Sequence, residues 1–130
     1  LQIMVIHQSF ADFVLFLYIH MAHADTEFHK TEMSVIREKM AKLYPKESNL
    51  EDKLTEVLKQ YRSFDKNKLR ILFKDTFDHF TNVKFSQKYK IYTDMYDIIN
   101  ADGTIDESET KALNELKQII DINSEASHQK

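Results

Sequence analysis

FADFVLFLYIHMAHADTEFHKTE, residues 10–32, opens as a helix apolar on nearly every face and ends in a turn crowded with donors. Phe10, Phe13, Val14, Leu15, Phe16, Leu17, Tyr18 and Ile19 leave no polar stripe for solvent, so this helix belongs at the centre of a bundle. The turn that follows carries His23, Asp25, Glu27, His29 and Glu32. The same order returns as MYDIINADGTIDESET, residues 95–110, where Asp102 and Glu109 stand 77 residues beyond Asp25 and Glu32. Each copy reads as a helix exit, then Ala-Asp, six further residues, and a Glu at the start of the next helix.

Around these two turns the chain reads as helices throughout. Ser9 is placed to cap the first, which the pattern puts at about residues 8–24. Met33, Ile36, Met40 and Leu43 mark a second helix from about His29 to Tyr44, stopped by Pro45. Ser48-Asn-Leu-Glu51 has the form of a capping box opening a third, with Leu50, Leu54, Val57, Leu58 and Tyr61 as its stripe. The polar run 63–68 separates it from a fourth that turns Leu69, Leu72, Phe73, Phe77 and Phe80 inward. Ser86 is expected to cap a fifth, burying Tyr89, Tyr92, Tyr96 and Ile99. A sixth opens at Asp106 and carries Ala112, Leu113, Leu116 and Ile119, and the polar residues 123–130 read as a flexible tail.

Composition agrees. One Gly and one Pro among 130 residues leave too few turn residues for a sheet and its hairpins. The expectation is an all-α domain over residues 1–122: a compact bundle of about six to seven helices with two pseudo-repeated helix-turn-helix units. A net charge of −3 argues against a nucleic-acid binder. Lys84-Phe-Ser-Gln-Lys-Tyr-Lys90 interleaves bases with aromatics, but the aromatics are expected on the core stripe. The absence of Cys removes disulfides and thiol chemistry and suits a reducing cytoplasm. The apolar run 10–19 is too short to span a bilayer and lacks the basic flank of a signal peptide.

Chemistry concentrates in the turns. From Ile91 to Thr110 there are six acids (Asp94, Asp97, Asp102, Asp106, Glu107 and Glu109) and no Lys or Arg. With Gly103 at the glycine position of an EF-hand loop, Asn100, Asp102, Thr104, Asp106 and Glu109 fall at ligand positions 3, 5, 7, 9 and 12. Position 1 is Ile98, and the nearest acid is Asp97, one residue early, so the loop is EF-hand-like and no more. Asp97 and Asn100, at i and i+3, are expected to face the turn together. In the first copy His20, His23 and His29 take the places of Asp97, Asn100 and Asp106, and imidazoles suit zinc better than calcium. The alternative is structural: Asp106 and Glu109 also form a capping box, and Asp25 and Asp102 suit turns.

Taken together, Ala24-Asp25 … Glu32 and Ala101-Asp102-Gly103-Thr-Ile-Asp106 … Glu109 resemble the TerB-like, tellurite-resistance family. The resemblance implies an all-helical bacterial domain in stress-response systems, often associated with membrane complexes. It also implies acidic residues proposed to hold metal, here Asp25, Glu32, Asp102, Asp106 and Glu109. Thr26 and His29 depart from the family pattern of glycine and acid.

The expectation is therefore a cytoplasmic, non-catalytic module that binds or senses a divalent cation. Its ligands would be Asp97, Asn100, Asp102, Asp106 and Glu109 at a calcium-like second turn. Asp25, Glu32, His20 and His23 would serve a zinc-like first turn. Its partners would be proteins, with a membrane surface as one setting. A metal-free helical adaptor is the rival reading, and a metal-assisted hydrolase at the His-rich turn the third.

Overall fold

The computed structural model describes residues 9–23 and 30–122. Within them lie α1 (Phe10–Ala22), α2 (Lys30–Leu43), α3 (Leu50–Ser63), a 3₁₀ turn (Lys66–Lys68), α4 (Leu69–His79), α5 (Phe85–Ile99) and α6 (Glu107–Ile119). No strand occurs among the described residues, and no described helix is long and apolar enough to cross a membrane. Residues 123–130, expected as a tail, lie outside the described residues.

The all-round apolar character of α1 sets the topology. Phe13, Val14, Leu15, Phe16, Leu17, Tyr18, Ile19, Met21 and Ala22 are all buried, and α1 packs against each of the other five α-helices. One flank is aromatic. The Phe16 ring meets Tyr61 of α3, Phe64 beyond it and Phe73 of α4, with centroids 5.3, 6.0 and 5.7 Å away. Phe13 lies 6.2 Å from Phe77, and Phe10 meets Phe80 edge-on at 5.2 Å. The opposite flank faces α2 and α5. Met21, Met33, Met40 and Met95 are buried in the core, as gap-filling residues should be.

Local chemistry explains the helix ends, with two shifts from expectation. Ser9 Oγ accepts from the Asp12 N–H at 3.5 Å. The third helix is capped one residue later than the Ser48 box implied: Asn49 Oδ1 accepts from the Asp52 N–H at 3.1 Å. Asp65 Oδ1 takes the Asn67 N–H at 3.0 Å, which ties the polar run into the 3₁₀ turn. Ser86 does not cap α5. The helix already begins at Phe85, and Gln87 Oε1 accepts from the Lys84 N–H at 2.9 Å.

A larger correction concerns the face of α5. The expected inward stripe was Tyr89, Tyr92, Tyr96 and Ile99. Its buried residues are Lys88, Ile91, Asp94, Met95, Ile98 and Ile99, while Tyr89 and Tyr96 are 52% and 43% exposed. The two stripes differ by one residue, a rotation of about 100°. Turning the aliphatic Ile91–Met95–Ile98 stripe inward avoids burying phenol hydroxyls that would each need a partner.

Opposite outcomes are expected for two aromatic truncations that the sequence pattern alone treats alike. Phe16→Ala should destabilise the fold by about 3–5 kcal/mol, the usual cost of deleting a buried ring. Tyr96→Ala should cost about 1 kcal/mol or less. Urea unfolding of both variants measures the difference; equal losses would contradict this register of α5.

Candidate functional site

The second acidic turn is built by three kinds of local bond. The chain leaves α5 through Asn100, whose carbonyl accepts the Gly103 N–H at 2.9 Å. Gly103 has φ of 81°, the left-handed region, and a Cβ added there would meet nothing within 4 Å. Glycine is therefore needed for its backbone angle and not for space. Asp102 Oδ1 accepts the Thr104 N–H at 3.0 Å, an Asx turn. Asp106 and Glu109 then close a reciprocal box. Asp106 Oδ1 accepts the Glu109 N–H at 2.8 Å, and Glu109 Oε1 accepts the Asp106 N–H at 3.1 Å. Ser108 Oγ also donates to Asp106 Oδ1, at 2.7 Å. Glu109 is only 3% exposed although it is a carboxylate in a first helical turn. Ile98, at the missing first ligand position, is fully buried.

Asp25, with Glu27 and His29, lies outside the described residues, so the first turn is seen through its flanks. Glu32, the counterpart of Glu109, is 1% exposed at the start of α2. The two turns thus share a buried glutamate at matching positions. His20 Nδ1 sits 2.9 Å from the Tyr61 hydroxyl. His23 Nδ1 lies 2.9 Å from the Ile19 carbonyl, which can only accept, so that nitrogen carries the proton. Both imidazoles line a cavity of about 330 Å³ that also takes in Ser108, Lys111 and Glu115 of α6 and Lys66 of the 3₁₀ turn. The exit of α1 and the opening of α6 are therefore neighbours. Burial pushes the His20 imidazole down to about 4, and nearby His23 and Lys66 push the same way. His23 is also held below the usual range, chiefly by burial, although its bond to Ile19 opposes the shift. Among the described residues, no three His, Asp or Glu side chains gather closely enough to hold a metal ion.

Asp97 and Asn100 part company. Asp97 Oδ2 accepts from Lys39 Nζ of α2 at 2.7 Å, whereas Asn100 stays at the turn. That exposed bond adjoins a buried node around Asp94 that the sequence pattern did not reveal. Tyr18 Oη of α1 donates to Asp94 Oδ2 of α5 at 2.6 Å. Asp94 Oδ1 also receives Lys90 Nζ at 2.9 Å and Lys39 Nζ at 3.0 Å. Burial alone would push the Asp94 carboxyl up, but the bonds from Lys90, Tyr18 and Lys39 prevail and hold it below the usual range. Burial and the bond to Asp94 push the Tyr18 phenol far up. One signal could have found it. Asp94 falls three residues after Ile91 and four before Ile98, which is core register on α5, and a core acid needs a partner.

The exposure of Tyr89 removes the ground on which Lys84–Lys90 was set aside as a nucleic-acid surface. The cations themselves argue against that surface. Lys88 is buried with its Nζ 5.9 Å from the Phe77 ring centre, and Lys90 is held by Asp94.

These features define a class: an all-α domain whose helices are joined by an Ala-Asp-Gly turn closed on a buried glutamate. A family model described as tellurite resistance protein TerB matches residues 11–130, and the chain belongs to the TerB family. Comparison with curated proteins and with solved structures finds no match.

A pH dependence follows from His20. Its folded value lies below its unfolded one, so the unfolded chain binds more protons between about pH 6.5 and 4. Stability is then fully present above about pH 6.5 and declines by on the order of 3 kcal/mol as pH falls through 4. His20→Gln should flatten this slope in urea unfolding at pH 7 and pH 4.5. An unchanged slope would mean that the imidazole is not held neutral by the fold.

Proposed function

We propose that this tellurite-resistance-type domain is a non-catalytic module that binds or senses a divalent cation at its second acidic turn. The working setting is a bacterial stress response in the cytoplasm, with protein partners. Asn100, Asp102, Asp106 and Glu109 would hold the ion, with the Thr104 carbonyl, once the turn rearranges to bring together carboxylates that stand apart in this structure. An all-oxygen set of this kind suits a hard cation such as calcium. Bound there, the ion would supply positive charge to Asp102, Asp106 and Glu109, whereas Asp94 and Asp97 of the same acidic stretch already meet Lys39 and Lys90.

The observation that carries the reading is Gly103 in the left-handed region, between Asp102 and a nearly inaccessible Glu109. This is the backbone bend that an EF-hand-like alignment demands at its glycine. The Asx turn and the capping box engage Asp102 Oδ1, Asp106 Oδ1 and Glu109 Oε1. An arriving cation competes with those bonds, so binding is linked to rearrangement of the turn, which is what a sensor requires. Asp97 is not needed, because it serves Lys39. At the first turn, Asp25, Glu32, His20 and His23 remain the zinc-like donor set. Lys66 and Lys111 beside the imidazoles oppose a second cation there, so the second turn leads.

A metal-free adaptor is the second reading, favoured by the exposed Tyr89 and Tyr96 on α5. Thermal melting in calcium, magnesium, manganese and zinc separates the two. At a hundred times its dissociation constant, a bound ion adds about 2.7 kcal/mol to stability. Asp102→Asn with Glu109→Gln should abolish the melting shift, and the Thr104 and Glu109 amide resonances should move only in the wild type. Absence of any shift with all four ions at millimolar concentration would make the adaptor reading the leading one.

A further inference from the structure

A groove of about 500 Å³ runs between α1, α2 and α5, away from both acidic turns. Its volume falls within the range of about 300–1,000 Å³ typical of small-molecule sites. The floor is apolar: Phe10 and Val14 of α1, Leu43 of α2 and Ile91 of α5. Ala11, the smallest side chain on that face of α1, leaves the space between them. Tyr18 and Asp94, both buried, also line it.

The polar lining is lopsided. Lys39, Lys42 and Lys90 bring three ammonium groups, against the single carboxylate of Asp94. Lys39 is taken up by Asp94 and Asp97 and Lys90 shares Asp94, while Lys42 is exposed and has no ion pair among the described residues. Lys90 Nζ gives one of its three N–H donors to Asp94 Oδ1 at 2.9 Å, and 54% of its side chain is exposed. Lys42 and the remaining donors of Lys90 can therefore meet a ligand while the Lys90–Asp94 and Tyr18–Asp94 bonds both stay in place. An apolar trough with surplus positive charge at its mouth matches one chemistry: an apolar body ending in an anion. Ammonium–carboxylate bonds of this type are the strong, charge-assisted kind.

We propose that this groove is a binding site for a free medium-chain carboxylate, the alkyl chain lying along Phe10, Val14, Leu43 and Ile91 and the carboxylate held by Lys42 and Lys90. The site is independent of the cation reading, since no ligand of the second turn lines it.

Calorimetric titration with decanoate, decanol and decyltrimethylammonium, all below their aggregation concentrations, tests it. Decanoate should saturate at one per chain and bind about tenfold or more tightly than decanol, the ratio one charge-assisted contact supplies. Decyltrimethylammonium should bind weakest. Lys42→Glu, at an exposed position, should weaken decanoate by about tenfold or more and leave decanol unchanged. Ala11→Trp, which fills the trough, should remove binding of both. Should Ala11→Trp fail to fold, Lys42→Glu still decides. Asp102→Asn with Glu109→Gln should leave decanoate binding unaltered, so failure of the cation reading does not touch this one. No saturation by decanoate up to millimolar concentration would overturn the proposal. So would equal affinity for the cationic amphiphile, or an unchanged affinity in Lys42→Glu.

Discussion

A helix without a polar face can be stable in water only if every side of it is covered, and α1 imposes that condition on the whole chain. Five helices are needed to enclose it, and all five touch it. Its one polar side-chain tip in the fully buried middle is the Tyr18 hydroxyl, which must find a partner inside the protein. Asp94 supplies it, and that choice propagates. A buried carboxylate needs positive charge, so Lys90 and Lys39 converge on it, and Lys39 in turn engages Asp97. One phenol in an apolar helix thereby fixes how α1, α2 and α5 meet.

A similar logic holds at the other end of α1. Tyr44, just past α2, donates to Asp12 Oδ1 at 2.5 Å, and Lys53 of α3 approaches the same oxygen at 3.0 Å. Lys53 also lies 5.5 Å from the centre of the Tyr44 ring. Burial and the bond to Asp12 push the Tyr44 phenol up. Both clusters pair a tyrosine with an aspartate from a distant part of the chain and recruit lysine to offset the charge. Such bonds are directional, whereas aliphatic packing tolerates sliding, so they fix the angular setting of helices around the core.

The acidic turn and the amphipathic groove use the two ends of α5 differently. At its C-terminal end the sequence is acidic, and the turn folds back on its own backbone through Asp102, Asp106 and Glu109. Along its N-terminal half, Lys90 and Ile91 face α1 and contribute to a trough with surplus positive charge. One helix thus separates an acidic turn from a lysine-lined groove.

The sequence by itself determined the helical class, the central place of α1, most helix limits and the capping box at Asp106 and Glu109. These depend on interactions within one turn or one helix, where spacing along the chain equals spacing in space. It also located the Ala-Asp-Gly turn at residues 101–103, and the family resemblance is borne out by the match over residues 11–130. It misread the face of α5, because stripes 89–92–96 and 91–95–98 are both apolar and periodicity cannot rank them. Only the tertiary structure decided between them, since burying the aliphatic stripe also brings Asp94 to Tyr18 across 76 residues. The pairing of Asp97 with Lys39, the neighbourhood of His20 with α6 and the groove beneath Lys42 share that origin. Each arises where two or more helices meet, and the pattern within any one helix carries no information about what its neighbour presents.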